Sequence, residues 1–63
     1  MANIKELRTK AGLTQYALAR KLGVSQSAVA QWEQGTTSPK KTLLRPLSEL
    51  LNCSVLDLID EAG

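Results

Sequence analysis

The sequence has no histidine, no phenylalanine and only one cysteine, Cys53. One thiol cannot close an intramolecular disulfide, and without histidine the chain offers no workable zinc ligand set. The absences also bear on catalysis. There is no histidine base to activate a serine, no glycine-rich phosphate loop, and 63 residues are too few to wall a substrate pocket. No enzyme, no metal and no cofactor are therefore expected. Aliphatic runs stop at two or three residues, too short for a signal h-region or a membrane span, so the expectation is a soluble cytoplasmic protein. Aromatics are limited to Tyr16 and Trp32, which leaves leucine, isoleucine, valine and alanine to build the core. So short a chain buries little surface and must rely on well-packed helices in one domain, residues 1–63.

Charge is present but unevenly placed. All eight basic residues lie in 1–48 with only Glu6 and Glu33 against them, whereas 49–63 carries four acids and no base. That asymmetry suggests a cationic working face and a separate acidic end, although uneven charge alone does not require a partner.

Breakers divide the chain into five short helical segments, and no segment alternates with period two, so the fold class is all-α: a compact bundle of five helices. Asn3 with Glu6 has the capping-box spacing, Ile4 and Leu7 share a face, and Gly12 ends the first segment. Thr14 caps the second, with Leu18, Ala19 and Leu22 on one side and Gly23 as the stop. Ser25 caps the third, with Val29 and Trp32 inward and Gly35 at its end. Residues 36–42 read as a loop. Proline is tolerated in a first helical turn, so Pro46 places the start of the fourth helix near Leu43 or Leu44, with Leu47, Leu50 and Leu51 inward. Asn52 suits a left-handed terminus, and Ser54 with Asp57 opens a fifth helix through Val55, Leu58 and Ile59. Cys53 reads as a small core residue.

The informative stretch runs from Gln15 to Gln34. Two helices are joined there by a short glycine-containing turn, the helix-turn-helix arrangement. Ala19 is small where the helices would cross, and Gly23 can take positive φ to turn the chain. The outer face of the third helix carries Ser25, Gln26, Ser27, Ala28, Ala30, Gln31 and Gln34, where an ordinary solvated face would carry lysine and glutamate. Glutamine can pair bidentately with adenine, serine with several bases, and a small alanine can meet a thymine methyl. Such a face suits the major groove of duplex DNA; the plainer alternative is amide and hydroxyl groups filling an exposed surface.

Residues 4–60 resemble the phage repressor and Cro-type, or XRE-like, helix-turn-helix family. The resemblance rests on I-K-E-L-R at 4–8, G-L-T-Q at 12–15, L-A at 18–19, L-G-V-S-Q at 22–26, V-A-Q-W-E-Q-G at 29–35, Pro39, and L-N-C-S-V-L-D-L-I at 51–59. It implies sequence-specific duplex DNA binding by a transcriptional regulator, expected to be a repressor associated with the nucleoid through its DNA. Base contacts would come from Ser25, Gln26, Ser27, Ala28 and Gln31, and phosphate contacts from Gln15, Thr37, Ser38, Lys40 and Lys41. Arg8 and Glu33 match a partly buried structural ion pair. A weak homodimer on a pseudo-palindromic operator is implied, its surface formed by Val55, Leu56, Leu58 and Ile59, with Leu56 off the inward face. Pro46 departs from the family pattern, as do Tyr16 and Ala17, where polar residues are usual; Tyr16 could touch phosphate or pack on the first helix. The competing function is a protein-interaction module of antitoxin or adaptor type on the same fold. The amide-rich helix argues against it, because protein interfaces favour aromatic or aliphatic anchors.

Overall fold

A computed structural model describes residues 3–59, with the side chain of Ile59 outside the description. Five α-helices follow in order: α1 Ile4–Lys10, α2 Gln15–Leu22, α3 Gln26–Gln34, α4 Lys41–Leu50 and α5 Val55–Ile59. There is no strand among the described residues. The acidic residues Asp60 and Glu61 lie outside them.

Local chemistry sets the helix ends. The side chains of Asn3, Thr14 and Ser25 each accept a hydrogen bond from the backbone N–H three residues on, satisfying one of the orphan donors at a helix start. Ser54 and Asp57 complete a reciprocal capping box at α5: Asp57 N–H donates to Ser54 Oγ at 3.2 Å, and Ser54 N–H to Asp57 Oδ2 at 3.0 Å. Asn52 takes the left-handed conformation, with φ of 55°.

The core is aliphatic around one indole. Leu18, Val29 and Leu47 are fully buried, and Ile4, Ala19, Trp32, Leu51 and Leu58 join them. The most extensive packing is between α2 and α3, with α4 covering α2 and α5 resting on α4. Ala19 is buried in α2, the helix that packs most extensively on α3. Cys53 is half-buried against this cluster, and burial first, then the charge of Asp57, pushes its thiol pKa up. That leaves it further from the reactive thiolate form.

Helix α4 differs from the sequence expectation. It begins at Lys41, so Pro46 lies in its second turn and the loop ends at Lys40. The bond that Pro46 cannot donate would have gone to the carbonyl of Thr42, an exposed first-turn residue whose carbonyl water can solvate. Burying Leu47 and Leu51 on one side then holds the helix through the proline. Leu50, expected inward, is half-buried against the same cluster.

Gly23 ends α2 with φ of 77° and ψ of 29°, and its N–H donates to the carbonyls of Ala19 and Arg20. A Cβ at this position would meet nothing within 4 Å, so a substitution there is opposed only by backbone conformation. Gly23→Ala is expected to lower stability by about 1–2 kcal/mol in urea unfolding. A change below about 0.3 kcal/mol would mean the turn is not held left-handed.

Candidate nucleic-acid interface

Helix α3 supplies most of the candidate surface because its two sides differ sharply. Val29 and Trp32 point into the core, whereas Ser27, Gln31 and Gln34, spaced four and three residues apart, form one exposed stripe. Gln26 and the capping Ser25 extend the exposed surface to the start of the helix. Ser25 Oγ accepts from Ala28 N–H at 3.1 Å, which leaves the hydroxyl proton free to be donated. Ala28 and Ala30 are half-buried, and Ala28 packs against the core cluster, so the outward surface is made mainly of hydroxyl and amide groups.

Beneath the stripe, four side chains are joined. Arg8 Nε donates to Glu33 Oε2 at 2.6 Å, and Arg8 Nη2 reaches Glu33 Oε1 at 3.4 Å. The third guanidinium nitrogen, Nη1, donates to the carbonyl of Leu13 at 2.8 Å. The pair is largely dry, its side chains 10% and 6% exposed. Gln15 Nε2 also donates to Glu33 Oε1, at 3.0 Å, and Gln26 Nε2 donates to Gln15 Oε1 at 3.4 Å. Gln15 and Gln26 are the first residues of α2 and α3. The network therefore runs from α1 through the end of α3 and the start of α2 to the start of α3.

Burial pushes the Glu33 carboxyl up. Hydrogen bonds from Arg8 and Gln15, with the positive charges of Arg8 and Lys5, outweigh that effect and hold it below its ordinary value. Because the folded-state pKa is depressed, the stabilisation is complete above the unfolded-state pKa and is lost as pH falls through the folded one.

The segment that follows α3 is polar and cationic. Thr37, Ser38 and Lys40 are exposed on the segment after α3, and Lys41 is exposed in the first turn of α4 rather than in a loop. No side chain caps α4, although Leu43 N–H donates to the carbonyl of Lys40 at 2.9 Å. Gln15 is half-buried and directed at Glu33 and Gln26, with one amide proton left over.

Two arrangements were not read from the sequence. The first is the relay through Gln15, which joins residues 11 and 18 positions apart; only the seven-residue spacing of Gln26 and Glu33 along one helix side hints at it. The second is Tyr16, which is 56% exposed and accepts a bond from Arg20 Nη1 at 3.0 Å, with the guanidinium 5.7 Å from the ring centroid. Its i, i+4 spacing was the available signal.

Helix α5 presents Leu56, 70% exposed. Val55 is half-buried, and Leu58 belongs to the core, a place different from the outer surface assigned to it by sequence. The side chain of Ile59 lies outside the described residues. Next to α5 is an open groove of about 730 Å³ lined by Ile4, Trp32, Leu44, Val55 and Leu58 and also by Thr37, Ser38, Lys41 and Arg45.

Two helices crossing at a left-handed glycine turn, with a polar third helix aimed outward, define a helix-turn-helix domain. The helix-turn-helix family model matches residues 4–58, and the chain belongs to that family, of the XRE type. It is 36% identical over 59 residues to antitoxin PezA of Streptococcus pneumoniae, covering 94% of this chain and 37% of the relative. It is 41% identical over 51 residues to repressor protein C2 of Salmonella phage P22, covering 81% of this chain and 24% of the relative. An uncharacterized HTH-type transcriptional regulator of Archaeoglobus fulgidus is 34% identical over 55 residues, covering 87% of this chain and 79% of the relative. The chain thus spans well under half of the antitoxin and the phage repressor. No helix among the described residues is long and apolar enough to cross a membrane.

Glu33→Gln leaves the Arg8 guanidinium buried without a counter-charge, and a loss of about 3–5 kcal/mol is expected at pH 7. In urea unfolding followed against pH, the gap to the wild type should narrow as pH falls below the ordinary glutamate value and through the lowered folded-state one, where the wild-type carboxylate also protonates. A gap that stays constant down to pH 3 would show that the Glu33 charge does not carry the effect.

Proposed function

We propose that residues 1–63 form a single domain that reads duplex DNA in sequence-specific fashion and represses transcription, working as a homodimer on a pseudo-palindromic operator. The observation that carries this reading is the exposed, uncharged stripe of Ser27, Gln31 and Gln34 with Gln26 at its head, followed in the chain by the exposed Lys40 and Lys41. A helix set in the major groove needs donors and acceptors on its outward side and cations on its borders. Ser25, Gln26, Ser27 and Gln31 meet base edges, and the half-buried Ala28 is left at most a methyl contact. Thr37, Ser38, Lys40, Lys41 and the start of α2 at Gln15 hold phosphates. Such contacts fix register without reading sequence.

In the dimer, each α3 occupies one half-site, with half-sites one helical turn apart. Leu56 is the exposed anchor of the dimer surface, with Val55 beside it at the edge of the groove. Leu58 supports that surface from within the core. One exposed leucine on a five-residue helix makes a small interface, so association is weak in solution and firmer on DNA. The similarity to a phage repressor favours repression. The similarity to an antitoxin, together with the apolar groove, favours a second reading in which a protein partner docks beside α5.

Fluorescence anisotropy with a selected duplex separates the contributions. Lys40→Ala should weaken every duplex alike and reduce the slope of log K against log salt by about 1, whereas Gln26→Ala should relax one base position by about 1–3 kcal/mol. Equal behaviour of both variants across sequences would contradict a reading role for α3. Sedimentation of Leu56→Glu should give a monomer under conditions where the wild type dimerises on its operator; an unchanged dimer would move the interface elsewhere.

A further inference from the structure

The groove beside α5 has a lining of two kinds. Ile4 from α1, Trp32 from α3 and Leu58 from α5 are buried along it, and Leu44 and Val55 are half-buried. The polar lining comes from the segment after α3 and from α4: the hydroxyls of Thr37 and Ser38 and the cations of Lys41 and Arg45, all exposed. Lys41, Leu44 and Arg45 are spaced three and four residues from one another along α4, so they share one side of that helix. No acid lines the groove among the described residues. Its volume of about 730 Å³ lies within the roughly 300–1,000 Å³ usual for small-molecule sites, which are mostly apolar with a few polar groups that fix orientation.

We propose that this groove binds a small organic anion with an apolar body, of the class of aliphatic carboxylates, and that the bound anion competes with DNA for Lys41. The apolar body lies along Trp32, Leu44 and Val55 and leaves water for aliphatic and indole surface. The carboxylate is met by Arg45 and Lys41. A neutral ligand of the same shape gains only the first contribution, and a cationic one is repelled. An arginine pairs with a carboxylate through two parallel N–H donors, which makes Arg45 the orienting group. The two cations differ in their other duties. Lys41, with Thr37 and Ser38, is among the groups proposed to hold phosphate, whereas Arg45 is not. A carboxylate paired with Lys41 neutralises a charge that a bound duplex needs. The binding half of this inference stands on the groove alone, and the competition half rests on the proposed DNA reading.

Trp32 is the sole tryptophan of the chain and lines the groove, so its emission reports occupancy. The full chain is titrated with octanoate, octanol and octylammonium, with circular dichroism to show that the fold persists and sodium chloride to match ionic strength. Octanoate should shift the emission saturably, octanol should bind roughly tenfold more weakly, and octylammonium more weakly still. Arg45→Gln should weaken octanoate by roughly threefold, and Lys41→Gln with Arg45→Gln by roughly tenfold. On a selected duplex, saturating octanoate should reduce the slope of log K against log salt by about 1. Arg45→Gln should bind that duplex as the wild type does, yet need more octanoate for the same effect. Octanol binding as tightly as octanoate, or no saturable change in Trp32 emission, overturns the site. So does an emission change that only tracks dissociation of a dimer in sedimentation, which would assign the groove to a second copy. Saturable octanoate binding that leaves duplex affinity unchanged overturns the competition and keeps the site. If the chain binds no duplex at all, the DNA reading fails, and the emission titration still decides the site.

Discussion

The contact between Arg8 and Glu33 sets the geometry on which everything else in this domain depends. A guanidinium and a carboxylate at 2.6 Å, nearly withdrawn from water, hold the first helix against the end of the third. Replacing such a pair by well-packed apolar groups need not reduce stability, so its presence is weak evidence for strength. Its consequence is positional. Glu33 has a lone pair left for Gln15, Gln15 has an oxygen left for Gln26, and Arg8 has a nitrogen left for the Leu13 carbonyl. Helix starts that would otherwise be fixed only by caps and packing are tied together by polar groups of defined direction.

The remaining parts follow from that frame. Left-handed turns at Gly23 and Gly35 end α2 and α3 abruptly, and the aliphatic core around Leu18, Val29 and Leu47 sets the crossing of the helices. With Val29 and Trp32 inward, the other side of α3 is left to water or to a partner. Its serines and glutamines are poor material for a protein interface and good material for reading base edges. The cationic segment from Lys40 to Lys41 lies beside it in sequence and continues into an uncapped helix start.

Much of this was legible in the residues. The caps at Asn3, Thr14, Ser25 and Ser54, the stops at Gly23, Gly35 and Asn52, and the inward leucines are local signals, and local signals survive into the fold. The start of α4 was misjudged because the rule applied to Pro46 is local, whereas the burial of Leu47 and Leu51 that overrides it is tertiary. Leu58 looked available for the same reason: a short helix does not reveal which of its apolar residues its neighbours will cover. The relay through Gln15 was out of reach, since a hydrogen bond between the starts of two helices depends on how those helices pack. On the outward side of α3 the residue types are legible in the sequence, and the direction of their hydrogen bonds is not.

In the proposed reading, the amide-bearing side of α3 is the surface that meets DNA. The most direct measurement is nuclear magnetic resonance of the labelled chain titrated with a selected duplex. Side-chain amide protons of Gln26 and Gln31 and the backbone at 25–31 should shift first and furthest, with Lys40 and Lys41 following as salt is lowered. If the duplex leaves Gln26 and Gln31 unmoved and shifts only the groove beside α5, at Leu44, Val55 and Leu58, the account of this domain as a major-groove reader is wrong.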